Sequence, residues 1–392
     1  MWYTQKEMDI LPSNRLILLL FGVILFFSQP AIAHAAAVTD IRFWSAPDHT
    51  RVVLDLTDAV QYESSTSGTP PELHLEIKGA SLPSRKREVR VNDPFLQKII
   101  LTAAGKDRVK LVLYQKKVLE AQIFALKPDL EKPHRLVIDL VDPTMEKKEQ
   151  EDRKKQRETR LKGSKIVVVD PGHGGEDPGA IGPRRTMEKD IVLHVGKKLT
   201  QLHNQDHGVK AFLTRKGDYF IPLEERVRIS REYGADLFVS LHTDGSFNSQ
   251  VRGASVYCLS LSGATDETAR VLADKENMSN ILGGAFLRPT MTKDPNLNQI
   301  LVDLMVNNSM KESVRFAELA IQEIKAINRL KYSAFRQANF IVLRAPDTPS
   351  ALVEMSYITN KEDELLLNQD TFQQKMATTL AGTISRFFKD GQ

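Results

Sequence analysis

Three ionisable side chains lie at the ends of separate apolar segments of the sequence. His173 follows KIVVVDPG, His242 closes ADLFVSLH, and Glu354 lies in SALVEMSY near the end of its apolar run. In open α/β sheets, sites form beyond the carboxyl ends of the strands. We therefore expect these three groups to meet at one edge of a sheet, where imidazole and carboxylate groups can bind a metal or transfer protons.

Glu188 is a fourth candidate, because it begins a helical segment at the head of its apolar face. A carboxylate in that position either caps the helix or binds a positive group. Two histidines and one glutamate form the ligand set of many catalytic zinc sites and leave a fourth position for water. We predict a single zinc ion held by His173, Glu188 and His242. Glu354 is then the general base of a metal-assisted amide hydrolysis.

The elements that must position these residues alternate between strand and helix patterns from Lys165 onward. This alternation predicts an α/β domain over 165–390, with a mostly parallel sheet flanked by helices. The glycines around His173 are interpreted as allowing a sharp turn, with room for a bulky substrate. The strand-like segments are KIVVVD, VKAFLTR, ADLFVSLH, GASVYCLS, NFIVLRA and SALVEMSY, and the helical patterns cover 187–205, 223–233, 265–282, 309–328 and 371–388.

The preceding region, 38–143, shows short alternating strand patterns separated by turn residues. TRVVLDL and ELHLEI in its first half are weakly repeated by RVKLVLY and RLVIDL in its second half. This pattern predicts a β-sandwich of two similar halves. Because the region has no cluster of histidines or carboxylates with catalytic spacing, we interpret it as a binding module.

A charged segment, 144–164, separates the two regions and is expected to be a solvated, partly helical linker. The formal net charge of the chain is only +4, so a nucleic-acid partner is not expected. Cys258 is the single cysteine, which excludes an intramolecular disulfide, and its strand-like surroundings favour a buried, inert thiol.

The first 33 residues have the pattern of a secretory signal peptide. Arg15 precedes the apolar run LILLLFGVILFF, which is short for a membrane span and is followed at once by small residues. Cleavage after Ala33, Ala35 or Ala37 remains open, and an uncleaved anchor is the alternative. The mature chain is expected to be exported, without a transmembrane segment.

Five sequence segments resemble the periplasmic, zinc-dependent N-acetylmuramoyl-L-alanine amidases of bacterial cell division. They are VVVDPGHGGEDPGAIG, EKDIVL, TRKGDYFIPLEERV, DLFVSLHTD and PSALVEMSYITN, in family order over about 165–390. RFWSAPDHTRVVLDL and RLVIDLVDP resemble the AMIN domain, which implies localisation to the division septum, through peptidoglycan. The resemblance places the family's zinc ligands on His173, Glu188 and His242 and its catalytic glutamate on Glu354.

The implied reaction cleaves the amide bond between N-acetylmuramic acid and L-alanine of the stem peptide, during separation of daughter cells and in wall recycling or remodelling. Two alternatives stay open: a zinc peptidase that cuts within stem peptides, and a non-catalytic wall-binding protein with a structural metal. The released termini distinguish the first two. The presence of Glu354 argues against the third, because structural zinc sites usually close all four positions.

An insertion, 260–308, contains the helical pattern GATDETARVLADKENMSNILGG with Thr265 as its expected N-cap. Relatives with such an insertion are autoinhibited by an acidic residue at the open zinc position, and they are activated by LytM-type proteins. By position this residue is Glu276, although it could also be a simple surface acid. The other acidic candidates are Asp274, Asp294 and Asp303. We expect the chain to be a monomer.

Overall fold

The computed structural model describes residues 35–129, 132–160, 164–204, 208–284 and 299–391, with the side chains of 299–305 excluded. The expected signal peptide, 1–33, and residues 285–298 of the expected insertion lie outside the described residues. Ala35–Gln392 forms one unit, so contacts between its N-terminal and C-terminal halves belong to a single body. No helix of the described ranges is both long and apolar enough to cross a membrane.

The N-terminal region consists of two five-stranded sheets that enclose one apolar core. Its strand-rich character is as predicted. The first sheet has the order β5-β1-β2-β10-β9 and the second β3-β4-β8-β7-β6. The strands are β1 (Ala36–Ser45), β2 (His49–Leu56), β3 (Gln61–Ser67), β4 (Glu72–Lys78), β5 (Ala80–Ser81), β6 (Lys86–Arg90), β7 (Leu96–Ala103), β8 (Arg108–Gln115), β9 (Glu120–Leu126) and β10 (His134–Val141).

The weak sequence repeat corresponds to the strands that pair in the middle of the two sheets. β2 pairs antiparallel with β10, and β4 pairs antiparallel with β8, so each half of the repeat contributes one strand to each sheet. β3 was missed by the sequence patterns. Its sequence, QYESSTS, lies at a sheet edge with almost every side chain exposed, so it has no apolar alternation to reveal it.

The C-terminal region contains a six-stranded sheet with the order β12-β11-β13-β16-β14-β15. Its neighbouring strands are parallel, except for the antiparallel pair of β14 and β16. The strands are β11 (Lys165–Pro171), β12 (Val209–Leu213), β13 (Leu237–His242), β14 (Ser255–Leu259), β15 (Arg336–Ala338) and β16 (Ser350–Glu354).

Helices cover both faces of this sheet, because alternate residues of each buried strand point to opposite sides. One core lies under α2, α6 and α8, and a second core lies under α3 and α4. Cys258 is buried in the first core, as expected. The helices are α1 (Pro143–Glu158), α2 (Glu188–Asn204), α3 (Leu223–Tyr233), α4 (Glu267–Asn277), α5 (Ser279–Leu282), α6 (Gln299–Ile324), α7 (Lys361–Leu367) and α8 (Asp370–Lys389).

Most of the charged connecting segment forms α1. Asp142 caps this helix by accepting hydrogen bonds from the backbone of Thr144 and Met145, and Pro143 follows at the first helical position. Arg153 is buried and donates to Glu232 of α3 at 2.7 Å. The connector therefore packs against the C-terminal region.

Two local expectations are wrong. NFIVLRA is not a strand, since Ile341–Leu343 forms a 3₁₀ turn after the short strand β15. The N-cap of α4 is Asp266, whose side chain accepts from the backbone N–H of Ala269, and not Thr265. The hydroxyl of Thr265 instead accepts from the backbone N–H of Gln337 in β15.

Candidate active site

The strand register brings the predicted residues together at the carboxyl edge of the sheet. His242 and Glu354 are paired positions at the ends of the parallel strands β13 and β16. His173 lies two residues beyond the end of β11, which is the other neighbour of β13. Three adjacent parallel strands thus deliver two imidazoles and one carboxylate to one place, as the sequence patterns predict.

Glu188 is the first residue of α2 and is fully buried against this edge. Its two carboxylate oxygens accept hydrogen bonds from the backbone N–H groups of Thr243 and Ala180, both at 2.8 Å. These bonds fix the carboxylate rather than neutralise it. Glu188 does not cap its own helix, so the capping alternative is not what the structure shows.

Two buried histidine nitrogens and two carboxylate oxygens lie close together at the centre of the site. Nε2 of His173 and Nδ1 of His242 are 3.1 Å apart. Oε1 of Glu188 lies 3.2 and 3.1 Å from these nitrogens, and Oε2 of Glu276 lies 3.3 and 3.2 Å from them. Ligands around a tetrahedral zinc ion are about 3.3 Å apart. Each carboxylate therefore completes a triangle of the size that zinc coordination requires.

Glu276 reaches this position from the end of α4, in the expected insertion. The possible ligand atoms of His173, His242 and Glu276 all lie within 4.8 Å of one another. The cavity left between these residues and the insertion has a volume of about 10 Å³, room for about one water molecule. The insertion thus fills the cleft above the two histidines.

The other acidic candidates of the insertion do not reach the site in the described residues. Asp274 is exposed on the outer face of α4, where it forms an ion pair with Arg270. Asp294 and the side chain of Asp303 lie outside the described residues.

Glu354 is fully buried, and neither of its carboxylate oxygens has a hydrogen-bond partner among the described residues. Burial raises the pKa of Glu354 well above its usual value, and the nearby carboxylate of Asp244 raises it further. A buried carboxyl group without a partner is costly. Such a group is suited to exchange protons with a water molecule or substrate beside it.

The surroundings of the two histidines are strongly negative. Burial by itself lowers the pKa of His242, but the carboxylates of Glu276 and Glu188 outweigh it and raise this pKa to about 10. The pKa of Glu276 is in turn well below its usual value: burial would raise it, but His242 and Lys275 lower it by more. The carboxylates of Glu188 and Glu276 beside two imidazoles form a site that favours a bound cation.

Asp177 is a functional candidate that the sequence patterns missed. Its carboxylate lies 2.8 Å from Nδ1 of His173, so it can orient the ring with Nε2 directed into the site. The same carboxylate accepts a hydrogen bond from the hydroxyl of Ser279 in α5. The only signal in the sequence is its place four residues after His173, which has no meaning without the fold of the loop.

Two glycines of the loop make room for the site residues themselves. A Cβ at Gly172 would lie 2.3 Å from the ring of His242, and one at Gly179 would lie 2.7 Å from both His173 and Glu188. Gly179 also has a φ of +67°, which favours glycine. The expected sharp turn is present, but this space is occupied by the side chains of His173, Glu188 and His242 rather than by an open substrate channel.

Comparisons with known proteins decide which family carries this arrangement. Residues 167–386 match the family described as N-acetylmuramoyl-L-alanine amidase, and residues 40–140 match the AMIN domain. N-acetylmuramoyl-L-alanine amidase AmiC of Escherichia coli O6:H1 (strain CFT073) is 32% identical over 94% of this chain and 93% of its own length. The chain belongs to the N-acetylmuramoyl-L-alanine amidase family.

Other amidases match over similar or shorter ranges. AmiC of Neisseria meningitidis serogroup B is 33% identical, over 90% of each chain. The solved structure of the amidase AmiC2 of Nostoc punctiforme is 29% identical and covers 58% of this chain and 99% of its own, with a TM-score of 0.41. The matched ranges assign the strand-rich N-terminal region to an AMIN domain and the sheet with its helices to an amidase domain.

Proposed function

We propose that this amidase is zinc-dependent and hydrolyses the amide bond between N-acetylmuramic acid and L-alanine of peptidoglycan. The proposal rests on two triangles of donor atoms, which the nitrogens of His173 and His242 form with Glu188 and with Glu276. Next to them lies Glu354, whose carboxyl group has no hydrogen-bond partner among the described residues. Hydrolysis of an amide requires an activated water and a group that transfers its proton, and this set of residues can supply both.

His173, Glu188 and His242 would hold the zinc ion in the active enzyme. Their donor atoms are the types that catalytic zinc prefers, and Asp177 behind His173 keeps the ring in the required orientation. When bound, zinc would lower the pKa of a water molecule and polarise the carbonyl of the scissile amide.

Glu354 would move the proton. Its position beside His242 in the strand register supports this role, and its raised pKa would let the carboxyl group hold a proton between two steps. One carboxylate oxygen accepts the proton of the attacking water. The same group then donates it to the nitrogen of the departing L-alanine, which completes the cleavage.

Glu276 would inhibit this reaction. Its carboxylate lies where the fourth ligand of a catalytic site belongs, and α4 leaves no room for a glycan strand or stem peptide above it. We assign residues 260–308 as a regulatory insertion. Activity then requires displacement of α4, and an activator protein of the LytM type is the partner we propose.

The remaining parts fit a role in bacterial cell division. We assign 38–143 as a β-sandwich AMIN domain that directs the enzyme to septal peptidoglycan, and 144–164 as its connector. We also assign 1–33 as a signal peptide for export to the periplasm. In this setting the enzyme would separate daughter cells and contribute to wall remodelling and recycling.

The decisive experiment is a digest of purified peptidoglycan by the Glu276→Ala variant, with the unmodified protein and Glu276→Ala/His173→Ala as controls. We expect Glu276→Ala to release intact stem peptides with a new amino terminus on L-alanine, and to be stopped by chelation. The unmodified protein should be at least about tenfold slower, and the double variant inactive.

The alternatives give different products in the same digest. New termini inside the stem peptide would identify a peptidase, and an absence of products from every variant would leave only wall binding. Bond specificity is read by mass spectrometry of the released fragments, so the result does not depend on the rate.

A further inference from the structure

The AMIN domain contacts the end of the inhibitory insertion through basic side chains. Arg135 donates to the backbone carbonyl of Leu282 at 3.0 Å, and Lys132 donates to the same carbonyl at 3.2 Å. The guanidinium of Arg51 donates to the carbonyl of Gly283. Three cationic groups of one domain thus bind two consecutive carbonyls of a segment that belongs to the other domain.

The same basic side chains also hold the loop that carries His173. Glu176, three residues after this histidine, is fully buried, and its Oε1 accepts from Arg135 at 2.6 Å. Lys132 donates to the backbone carbonyl of Glu176, and Arg42 lies 3.5 Å from its carboxylate. The active-site loop and the inhibitory segment are therefore bound side by side on one basic surface.

The shape of the segment fits this surface closely. A Cβ at Gly284 would lie 2.8 Å from Leu126 of β9 and 3.5 Å from the guanidinium of Arg51, both in the AMIN domain. Gly284 also has a φ of +62°, a conformation that favours glycine. A side chain at Gly284 would therefore hold the segment away from the AMIN domain, whereas a Cβ at Gly283 would meet the ring of Phe220 in the amidase domain.

The segment has little stability of its own. α5 has four residues, too few for an isolated helix, and its position depends on what it contacts. Besides the bonds to the basic groups, its hydrogen bonds to other described residues include those of Ser279 with Asp177 and of Asn280 with the start of α3. Because α4 ends directly before α5, the contacts that fix α5 also fix the position of Glu276 at the end of α4.

We propose that Arg51, Lys132 and Arg135 form an intramolecular docking site for residues 279–284, through which the AMIN domain holds Glu276 at the metal site. This inference rests on the proposed autoinhibition and deepens it. The AMIN domain is then part of the inhibitory device as well as a targeting module.

Two variants of the full-length chain test the docking site from its two sides. Arg51→Gln removes the donor to Gly283. Gly284→Ala disturbs the close fit against Leu126 and Arg51 from the side of the segment, without changing the AMIN domain or any catalytic group. Arg108→Gln is the matched control, because Arg108 is an exposed arginine of the other AMIN sheet, paired only with acidic surface residues. Glu276→Ala is the reference for full release.

The readouts are hydrogen–deuterium exchange of the amides in 267–284 and peptidoglycan hydrolysis without an activator. We expect both test variants to exchange at least about tenfold faster in this segment and to hydrolyse peptidoglycan faster by a similar factor. This is the effect of losing one hydrogen bond to a charged donor. Arg108→Gln should behave as the unmodified protein.

The two proposals fail in different ways. Exchange in 267–284 that stays at the control level in both test variants overturns the docking site, whatever the activities are. Faster exchange together with no hydrolysis by any variant, Glu276→Ala included, supports the docking site and removes the proposed hydrolysis. If Arg51→Gln does not fold, Gly284→Ala alone decides, because its substitution lies in the segment itself and faces the AMIN domain.

Discussion

Glu354 and the two histidines lie within one cluster, but their environments favour different protonation states and therefore different roles. Each histidine faces carboxylates that stabilise positive charge, whereas Glu354 faces another carboxylate, Asp244, and has no hydrogen-bond partner among the described residues. Groups whose surroundings push their protonation in opposite directions are typical of acid–base sites. We infer that the histidines hold the cation and Glu354 transfers the proton.

This division of roles predicts the behaviour of Glu354→Gln in the released Glu276→Ala background. The amide keeps the shape of the side chain but cannot accept a proton. We expect zinc content to stay unchanged while turnover falls by about 10²- to 10⁴-fold. Zinc is measured by mass spectrometry of the purified protein, and Glu362→Gln, at an exposed position, is the control. Turnover close to that of the control would remove Glu354 from the mechanism.

Asp177 gives a second prediction at this scale. Replacement by asparagine keeps an oxygen near Nδ1 of His173 but removes the charge that orients and polarises the ring. We expect zinc affinity to fall by about 10- to 100-fold. Competition with a chromogenic chelator measures this affinity, and Asp190→Asn, which lies on the exposed side of α2, should leave it unchanged. An unchanged affinity in Asp177→Asn would show that the loop alone positions His173.

Some residues of the site could be predicted from the sequence, and others could not. His173, His242 and Glu354 could be placed together because strand ends in a parallel sheet share one edge. Asp177 and Glu176 could not, because their partners depend on the path of a glycine-rich loop. The contacts of Gly172 with His242 are equally invisible in the sequence, where a glycine signals only freedom of the backbone.

At the scale of elements, α1 shows how a charged segment becomes structure. Glu149 and Arg153, spaced i,i+4, form an ion pair at 3.3 Å on this helix. The sequence does not show that Arg153 also reaches Glu232 of α3, since that contact is set by how the two regions pack. In the same way, NFIVLRA is apolar enough for a strand, yet its centre forms a 3₁₀ turn, and Phe340, Val342 and Leu343 are part of the second core.

The N-cap of α1 is the element that we predict to respond to acid. Lys117 and then Thr144 lower the pKa of Asp142 to about 2, whereas an aspartate in an unfolded chain has a pKa of about 3.9. A depressed pKa means that the charge stabilises the fold above about pH 4, and that this stabilisation is lost as the pH falls through about 2. We expect Asp142→Asn to lower the free energy of unfolding at neutral pH and to have no effect at about pH 2.

Urea titrations of both proteins over this pH range provide the measurement. Asp142→Ala supplies the comparison, because it removes the capping acceptor as well as the charge, and it should cost about 1 kcal/mol even in acid. If Asp142→Asn destabilises the protein equally at both ends of the range, its effect is not electrostatic.

At the scale of the whole molecule, the contact between the AMIN and amidase domains depends on a buried ion pair. Arg135 and Glu176 are 1% and 0% exposed, and removing one member of such a pair leaves the other charged and buried. We expect Glu176→Gln or Arg135→Gln alone to lower the free energy of unfolding by about 3 kcal/mol. The double variant should cost less than the sum of the two, by about 1 to 3 kcal/mol.

A double-mutant cycle measures this coupling, and the exposed pair of Arg108 and Glu76 within one AMIN sheet is its control, with an expected coupling below about 1 kcal/mol. No pattern in the sequence pairs Arg135 with Glu176. Each lies in a region whose strands and helices can be recognised from its own hydrophobic periodicity, without reference to the other region. A coupling no larger than that of the control would mean that the domains fold independently. Since the loop of His173 lies at this contact, a large coupling would mean that the stability of the active-site loop depends on the AMIN domain.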